Sequence, residues 1–133
     1  MVFDWRDFLV FAENIKAAPD IPGPKEAALR SATSRAYYAA FCVALEYGRT
    51  QGFIPTYTGE DHKGIQRFFR NSKLPHQLTT RLSTQLDRLY DFRRQADYRN
   101  KSKQKPENAA HYAIGIAKIV FECIDEISKS LDH

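Results

Sequence analysis

The segment "AYYAAFCVAL", residues 36 to 45, is the longest uninterrupted apolar run in the chain. A helix that is hydrophobic on all sides is buried among other elements. A membrane span needs about 20 apolar residues, so this run is too short to cross a bilayer. We therefore predict a central buried helix from about Lys25 to Gly52, whose alanines allow other helices to approach closely.

Four further segments have the apolar spacing of amphipathic helices, and no segment has a clear strand pattern. Including the central helix, the predicted bounds are about Asp4 to Ala17, Lys25 to Gly52, Asp61 to Asn71, Pro75 to Tyr98 and Pro106 to Leu131. A length of 133 residues suits one domain. Because short connections favour antiparallel neighbours, we predict an all-α, up-and-down bundle of four to five helices over residues 1–133.

Positive charge is concentrated in one segment, "RRQADYRNKSKQK", residues 93 to 105. It holds six Lys or Arg side chains and one Asp, an excess that is larger than the net charge of +4 for the whole chain. Such a cluster attracts polyanions, including nucleic acids, although a solvated charged loop has the same composition.

Cysteine usage and the N-terminal residues indicate a cytoplasmic protein. Cys42 and Cys123 have no CxxC spacing and no clustered histidines, so we expect two free thiols and neither a metal nor an organic cofactor. The charged residues Asp4, Arg6 and Asp7 are unlike a secretory signal peptide, and we expect no membrane association.

Arg93 is the residue whose position most needs an explanation. At 100° per residue it falls within an apolar stripe of its helix, formed by Leu78, Leu82, Leu86 and Leu89. Arginine is rarely buried without a partner, and Asp97, one turn later, is suitably placed. The pair either locks the helix to a neighbour or holds a planar guanidinium ready for a phosphate. The same geometry directs Tyr98 away from Arg93 unless the helix ends there.

Three segments occur in an order and spacing that resembles the HEPN superfamily, in particular its small stand-alone prokaryotic members. They are "SRAYYAAF" (34–41), "DHKGI" (61–65) and "LYDFRRQADYR" (89–99), and the resemblance extends over about residues 28–125. It implies a HEPN-like bundle that forms a homodimer in the cytoplasm. It also implies a toxin–antitoxin or defence role, often with a minimal nucleotidyltransferase as antitoxin.

The resemblance also implies chemistry, since many HEPN proteins are metal-independent ribonucleases. In those proteins an arginine, four to six residues and then a histidine form a site that is doubled across the dimer cleft. Here Tyr98 stands at the position of the histidine. Tyrosine, with an ordinary pKa of about 10, is a poor general base, but it can donate a hydrogen bond to phosphate or stack on a base.

The candidate catalytic residues are therefore Arg93, Asp97 and Tyr98. The candidate residues for binding RNA or a nucleotide are Arg94, Arg99, Lys101, Arg35 and His62. Three interpretations remain open: a ribonuclease, a non-catalytic module that binds RNA, a nucleotide or a nucleotidyltransferase, and a plain dimerising scaffold.

Several other residues have an ordinary structural interpretation. The segment "RNSKLPH", from Arg70 to His76, also has an arginine followed by a histidine at the family spacing, but eleven arginines and four histidines make one chance match expected. His62 near a helix start can serve a local hydrogen-bonding role. Tyr37 and Tyr38 are expected in the core, where each hydroxyl needs a partner.

Overall fold

The computed structural model describes residues 2–18, 20 and 23–131, and every regular element in this part of the chain is a helix. The helices are α1 (Asp7–Ala17), α2 (Lys25–Thr50), α3 (Asp61–Arg70), α4 (His76–Tyr98) and α5 (Pro106–Ser130). They pack into one bundle, which confirms the all-α prediction. The predicted bounds differ by at most three residues, the largest difference being at α1, where Trp5 and Arg6 form a turn.

Helix α2 is the centre of the bundle and contacts each of the other four helices. Its small side chains permit this, since Ala32, Ala36, Ala40 and Ala44 recur at every fourth position and are fully buried. Side chains of the same run that face the gaps between neighbours, such as Tyr38, remain partly exposed. The run of apolar residues is thus explained by helices on nearly all sides of α2.

Contacts made by side chains, one of them to a backbone carbonyl, fix the directions of four helices. Helix α2 is antiparallel to α4, α1 is antiparallel to α5, and α2 and α5 begin at the same end of the bundle. The contacts that establish this are Arg30 with Ala96, Tyr37 with Tyr90, Arg6 with Asp125, Lys118 with Glu13, and Lys25 with Glu107.

Helix α3 runs in the same direction as α2. Its first turn contacts the middle of α2, where Tyr37 meets His62, whereas Ile65 lies beside Gly48 farther along. Residues 51–60 therefore return along the bundle before α3 begins. Consequently the start of α3 lies beside the last turns of α4, and this juxtaposition creates the site described below.

The return of the chain after α2 depends on two glycines. Gly52 has φ of 104°, and its N–H donates to Arg49 O while Phe53 N–H donates to Gly48 O. These two bonds form a Schellman motif, which ends a helix and reverses the chain. Gly48 also allows α3 to approach, because a Cβ there would lie 2.6 Å from Ile65 Cδ1.

Candidate functional site

The inward position of Arg93 and its pairing with Asp97 are present as predicted. The Arg93 side chain is 12% exposed, and its Nε lies 3.0 Å from Asp97 Oδ2. The Nε–H is not directed well enough at this oxygen to make a hydrogen bond, so the attraction is mainly that of an ion pair. Ser34 of α2 donates a hydrogen bond of 3.2 Å to the same carboxylate. Asp97 is therefore held from both α2 and α4.

Two tyrosine hydroxyls accept hydrogen bonds from Nη2 of Arg93. The distances are 2.8 Å to Tyr38 of α2 and 3.2 Å to Tyr98. Tyr98 thus meets Arg93, which is the exception that the sequence allowed if the helix ends at Tyr98. Helix α4 ends at Tyr98, so no further turn covers its end, and two long side chains five residues apart can meet there. The Tyr98 ring is 69% exposed.

These contacts keep Arg93 charged and leave part of its guanidinium open. Burial by itself would lower the pKa of Arg93, but Tyr38, Tyr98 and Asp97 outweigh it and hold that pKa above its ordinary value. Within the described part of the chain, Nη1 makes no hydrogen bond, and it is not among the atoms sealed from solvent. Arg93 thus keeps N–H donors on Nη1 that no described residue uses.

His62 lies in an aromatic enclosure beside this group. Its ring is stacked on Tyr90 with centroids 5.1 Å apart and an interplanar angle of 17°, and its centroid is 4.5 Å from that of Phe41. Burial and the positive charge of Arg93 lower the pKa of His62, although Asp61 acts in the opposite sense. The imidazole is therefore neutral at pH 7.

A hydrogen bond with Tyr37 decides which His62 nitrogen carries the proton. The Tyr37 hydroxyl meets Nδ1 of His62, and the tyrosine is only 1% exposed. Burial raises the pKa of Tyr37, so the hydroxyl keeps its proton, and Nδ1 is its hydrogen-bond partner. Donation from Tyr37 to Nδ1 satisfies both groups and leaves the imidazole proton on Nε2. His62 is then a neutral N–H donor and not a base.

The loop before α3 fixes the position of His62. The carboxylate of Asp61, 3% exposed, accepts hydrogen bonds from the backbone and hydroxyl of Thr56 at 2.9 and 2.8 Å and from Tyr57 N at 2.8 Å. Burial alone would raise the pKa of Asp61, but these three bonds lower it below its ordinary value. Sequence reasoning expected Asp61 only near a helix start; the hydroxyl at Thr56 was the available signal for its role in the loop.

Arg30 of α2 closes the end of α4 and was not identified from the sequence. Its guanidinium donates to the carbonyls of Ala96, Arg99 and Asn100 at 3.2, 2.6 and 3.3 Å. The last carbonyls of a helix lack partners within the helix, and a cation there also opposes the helix dipole. Because the bond joins residues far apart in the chain, no local pattern marks it.

The other predicted binding residues surround Arg93 to different extents. Arg94 is exposed, with its Cζ 5.7 Å from the Tyr90 centroid, and Arg99 and Lys101 are exposed just after α4. Arg35 is partly exposed and lies between two aromatic rings, 5.0 Å from the centroids of both Phe8 and Tyr38.

The alternative pair does not assemble at this site. Arg70 ends α3 and His76 begins α4, and both are exposed. No hydrogen bond or ring contact joins them within the described residues; His76 Nε2 instead lies 3.5 Å from the Thr80 hydroxyl.

Both cysteines are free thiols, as predicted, with Cys123 buried and Cys42 partly buried. Among the described residues, no group of three His, Cys, Asp or Glu side chains could hold a metal ion. Nor is any helix in that part of the chain long and apolar enough to cross a membrane. Comparison of the chain with protein-family models, curated proteins and solved structures gave no match.

Proposed function

We propose that this protein binds RNA through its phosphate groups, with Arg93 as the principal contact. The observation that carries the proposal is the state of the Arg93 guanidinium. It is held by Asp97, Tyr38 and Tyr98, it stays charged, and its Nη1 is not sealed from solvent and donates to no described residue. A fixed guanidinium binds phosphate well because its planar donors are already oriented.

The surroundings of Arg93 support a polyanionic ligand. Arg94, Arg99 and Lys101 add exposed positive charge at the same helix end. His62 adds a neutral N–H donor, and the exposed ring of Tyr98 offers a surface on which a base can stack. A nucleotide offers the same chemistry as a single RNA phosphate, and it is the alternative ligand.

The resemblance to HEPN proteins adds a biological setting to the proposal. Its three segments come together in the fold, since Tyr37, His62 and Tyr90 contact one another. On this basis we propose a HEPN-like homodimer in the cytoplasm, of toxin–antitoxin or defence type. A nucleotidyltransferase is the protein partner that this setting implies.

Cleavage of the bound RNA is a second candidate function, and one contact favours it. The Tyr98 hydroxyl, which stands at the position of the family histidine, lies 3.2 Å from Arg93 Nη2. A ribonuclease of this kind needs a base for the ribose 2′-OH and a cation for the phosphorane charge. Arg93 suits the role of the cation. His62, with its proton on Nε2, suits the role of a hydrogen-bond donor and not that of the base. Binding without cleavage is therefore the primary proposal.

The test is binding of a fluorescent oligouridylate, followed by anisotropy in EDTA. We expect saturable binding that weakens as salt rises, and Arg93→Gln should weaken it by about tenfold or more, since a charged hydrogen bond contributes roughly 1.5–3 kcal/mol. The matched control is Arg81→Gln, the same substitution at an exposed position on the same helix.

Melting curves of both variants must accompany the titration, because Arg93→Gln leaves Asp97 without its ion-pair partner. Equal affinities for wild type and a folded Arg93→Gln variant would refute the proposal. Cyclic-phosphate products from the wild type alone would establish the ribonuclease instead, and Tyr98→Phe would then test the tyrosine.

A further inference from the structure

Cations and aromatic rings alternate across three helices at this site. The order is Phe8 of α1, Arg35 and Tyr38 of α2, and Arg93 and Tyr98 of α4. Arg35 Cζ lies 5.0 Å from the ring centroids of Phe8 and Tyr38. Arg93 Cζ lies 5.3 and 5.2 Å from those of Tyr38 and Tyr98. Both guanidinium groups are therefore held in place by rings, at distances typical of cation–π contacts.

Arg35 differs from the other partly exposed arginines in having no acceptor. Arg6 pairs with Asp125, Arg30 with backbone carbonyls, and Arg93 with Asp97. Within the described part of the chain, no hydrogen bond or ion pair is made by Arg35, so the rings orient its N–H donors without using them.

We propose that Arg35 and Arg93 bind the phosphate groups of successive nucleotides in one RNA strand, so that the site prefers a strand to a nucleoside monophosphate. This inference rests on the proposed function and specifies its ligand. Arg93 holds one phosphate through its open Nη1 side, and Arg35 holds the other with its unused donors. Asp97 pairs with Arg93 and not with Arg35. Part of the charge on Arg93 is therefore neutralised, whereas Arg35 contributes a full unpaired positive charge.

The spacing of the two cations fits successive phosphates. Each Cζ lies close to the same Tyr38 centroid, so the two atoms are at most about 10 Å apart. Phosphates of one strand recur about every 3.4 Å along a duplex axis, so groups one or two nucleotides apart can reach both cations. The competition experiment below tests whether one phosphate or two engage these cations.

The experiment compares two competitors that share their bases and differ in phosphate number. Uridylyl-uridine, UpU, has one phosphate, and its 5′-phosphorylated form, pUpU, has two. Each displaces a fluorescent oligouridylate from wild type, Arg35→Gln, Arg93→Gln and the control Arg81→Gln. For wild type and Arg81→Gln, we expect pUpU to compete about tenfold better than UpU. For Arg35→Gln, we expect the affinities of pUpU and UpU to differ by no more than about threefold. The salt dependence of oligouridylate binding should also fall by about 0.7 in log–log slope for Arg35→Gln.

The outcomes separate this inference from the proposal on which it rests. An undiminished pUpU advantage in Arg35→Gln, with binding still lost in Arg93→Gln, would refute the two-phosphate site alone. Failure of the wild type to bind the oligouridylate would refute the proposed function itself. If Arg35→Gln does not fold, Arg35→Lys serves in its place. It keeps the charge and loses the planar fork, so the salt slope should persist while the pUpU advantage shrinks.

Discussion

His62 is a single side chain on which burial, charge and hydrogen bonding act together. It is partly buried between Tyr90 and Phe41, Arg93 adds repulsion against a second positive charge, and the Tyr37 hydroxyl donates a hydrogen bond to Nδ1. Asp61 alone favours protonation, and its carboxylate is already engaged by the loop. The folded protein therefore binds a proton at His62 less readily than the unfolded chain does.

This difference predicts a loss of stability in mild acid. The pKa of His62 lies below the unfolded value of about 6.5, so its contribution is fully present above about pH 7 and is lost as pH falls from there through the folded pKa. We expect the melting temperature of the wild type to fall across this window, and the slope to be reduced in His62→Gln.

The control is His111→Gln, the same substitution at an exposed position of α5. Asp61 titrates in a separate window, because its lowered pKa removes stability only below about pH 4. Identical slopes for His62→Gln and wild type would show that His62 is equally protonated in both states.

The partners of Arg93 show what a sequence reveals at the scale of residues. Asp97 was predictable because it is four positions away on the same helix. Tyr38 and Ser34 were not, since they lie 55 and 63 positions from the residues they contact, and only the packing of α2 against α4 brings them together. It was predictable that a buried tyrosine hydroxyl would need a hydrogen-bond partner, but the identity of that partner was not.

The bounds of the helices were predictable from local signals, whereas the direction of α3 was not. Pro106 at the start of α5 and Gly52 after α2 are residue types that mark the ends of helices whatever the surrounding fold. The return of residues 51–60 along α2 depends on the close approach at Gly48, which involves Ile65 of another helix. The spacing of residues within one helix does not indicate such a contact with another helix.

Two helical glycines should respond in opposite ways to the same substitution. At Gly48 a new Cβ would meet the buried Ile65 side chain at 2.6 Å, so Gly48→Ala should destabilise the fold by about 1–3 kcal/mol. At Gly115, on α5, nothing lies within 4 Å, so Gly115→Ala should stabilise by up to about 1 kcal/mol through helix propensity.

Urea unfolding monitored by circular dichroism measures both changes against the wild type. A stabilised Gly48→Ala variant would mean that α3 is not packed against α2 as described. A destabilised Gly115→Ala variant would show that another surface, such as a second copy of the chain, covers this position.

The whole molecule has one core, because α2 contacts every other helix and no helix has a core of its own. Burial raises the pKa of both thiols, to about 11 for Cys42, so neither is ionised near neutrality in the folded protein. Thiolates are the reactive form. Reaction of the buried Cys123 therefore requires that the bundle opens, whereas reaction of the partly buried Cys42 is slowed.

We expect unfolding to be a single transition, with the thiols as its reporters. Both cysteines should react slowly with a disulfide reagent in buffer at pH 7, and both should become reactive at the urea concentration at which helicity is lost. Modification of the buried Cys123 before the loss of helicity would contradict a single cooperative unit.

The contact of Arg30 with the carbonyls at the end of α4 has a consequence for protein synthesis. Arg30 and these carbonyls are separated by 66 to 70 positions, so the full set of contacts forms only after the ribosome has added residues through Asn100. Until then Arg35 and Tyr38 are present without Arg93 in place. A chain truncated before Arg93 therefore lacks the completed site, even when its helix α2 has already formed.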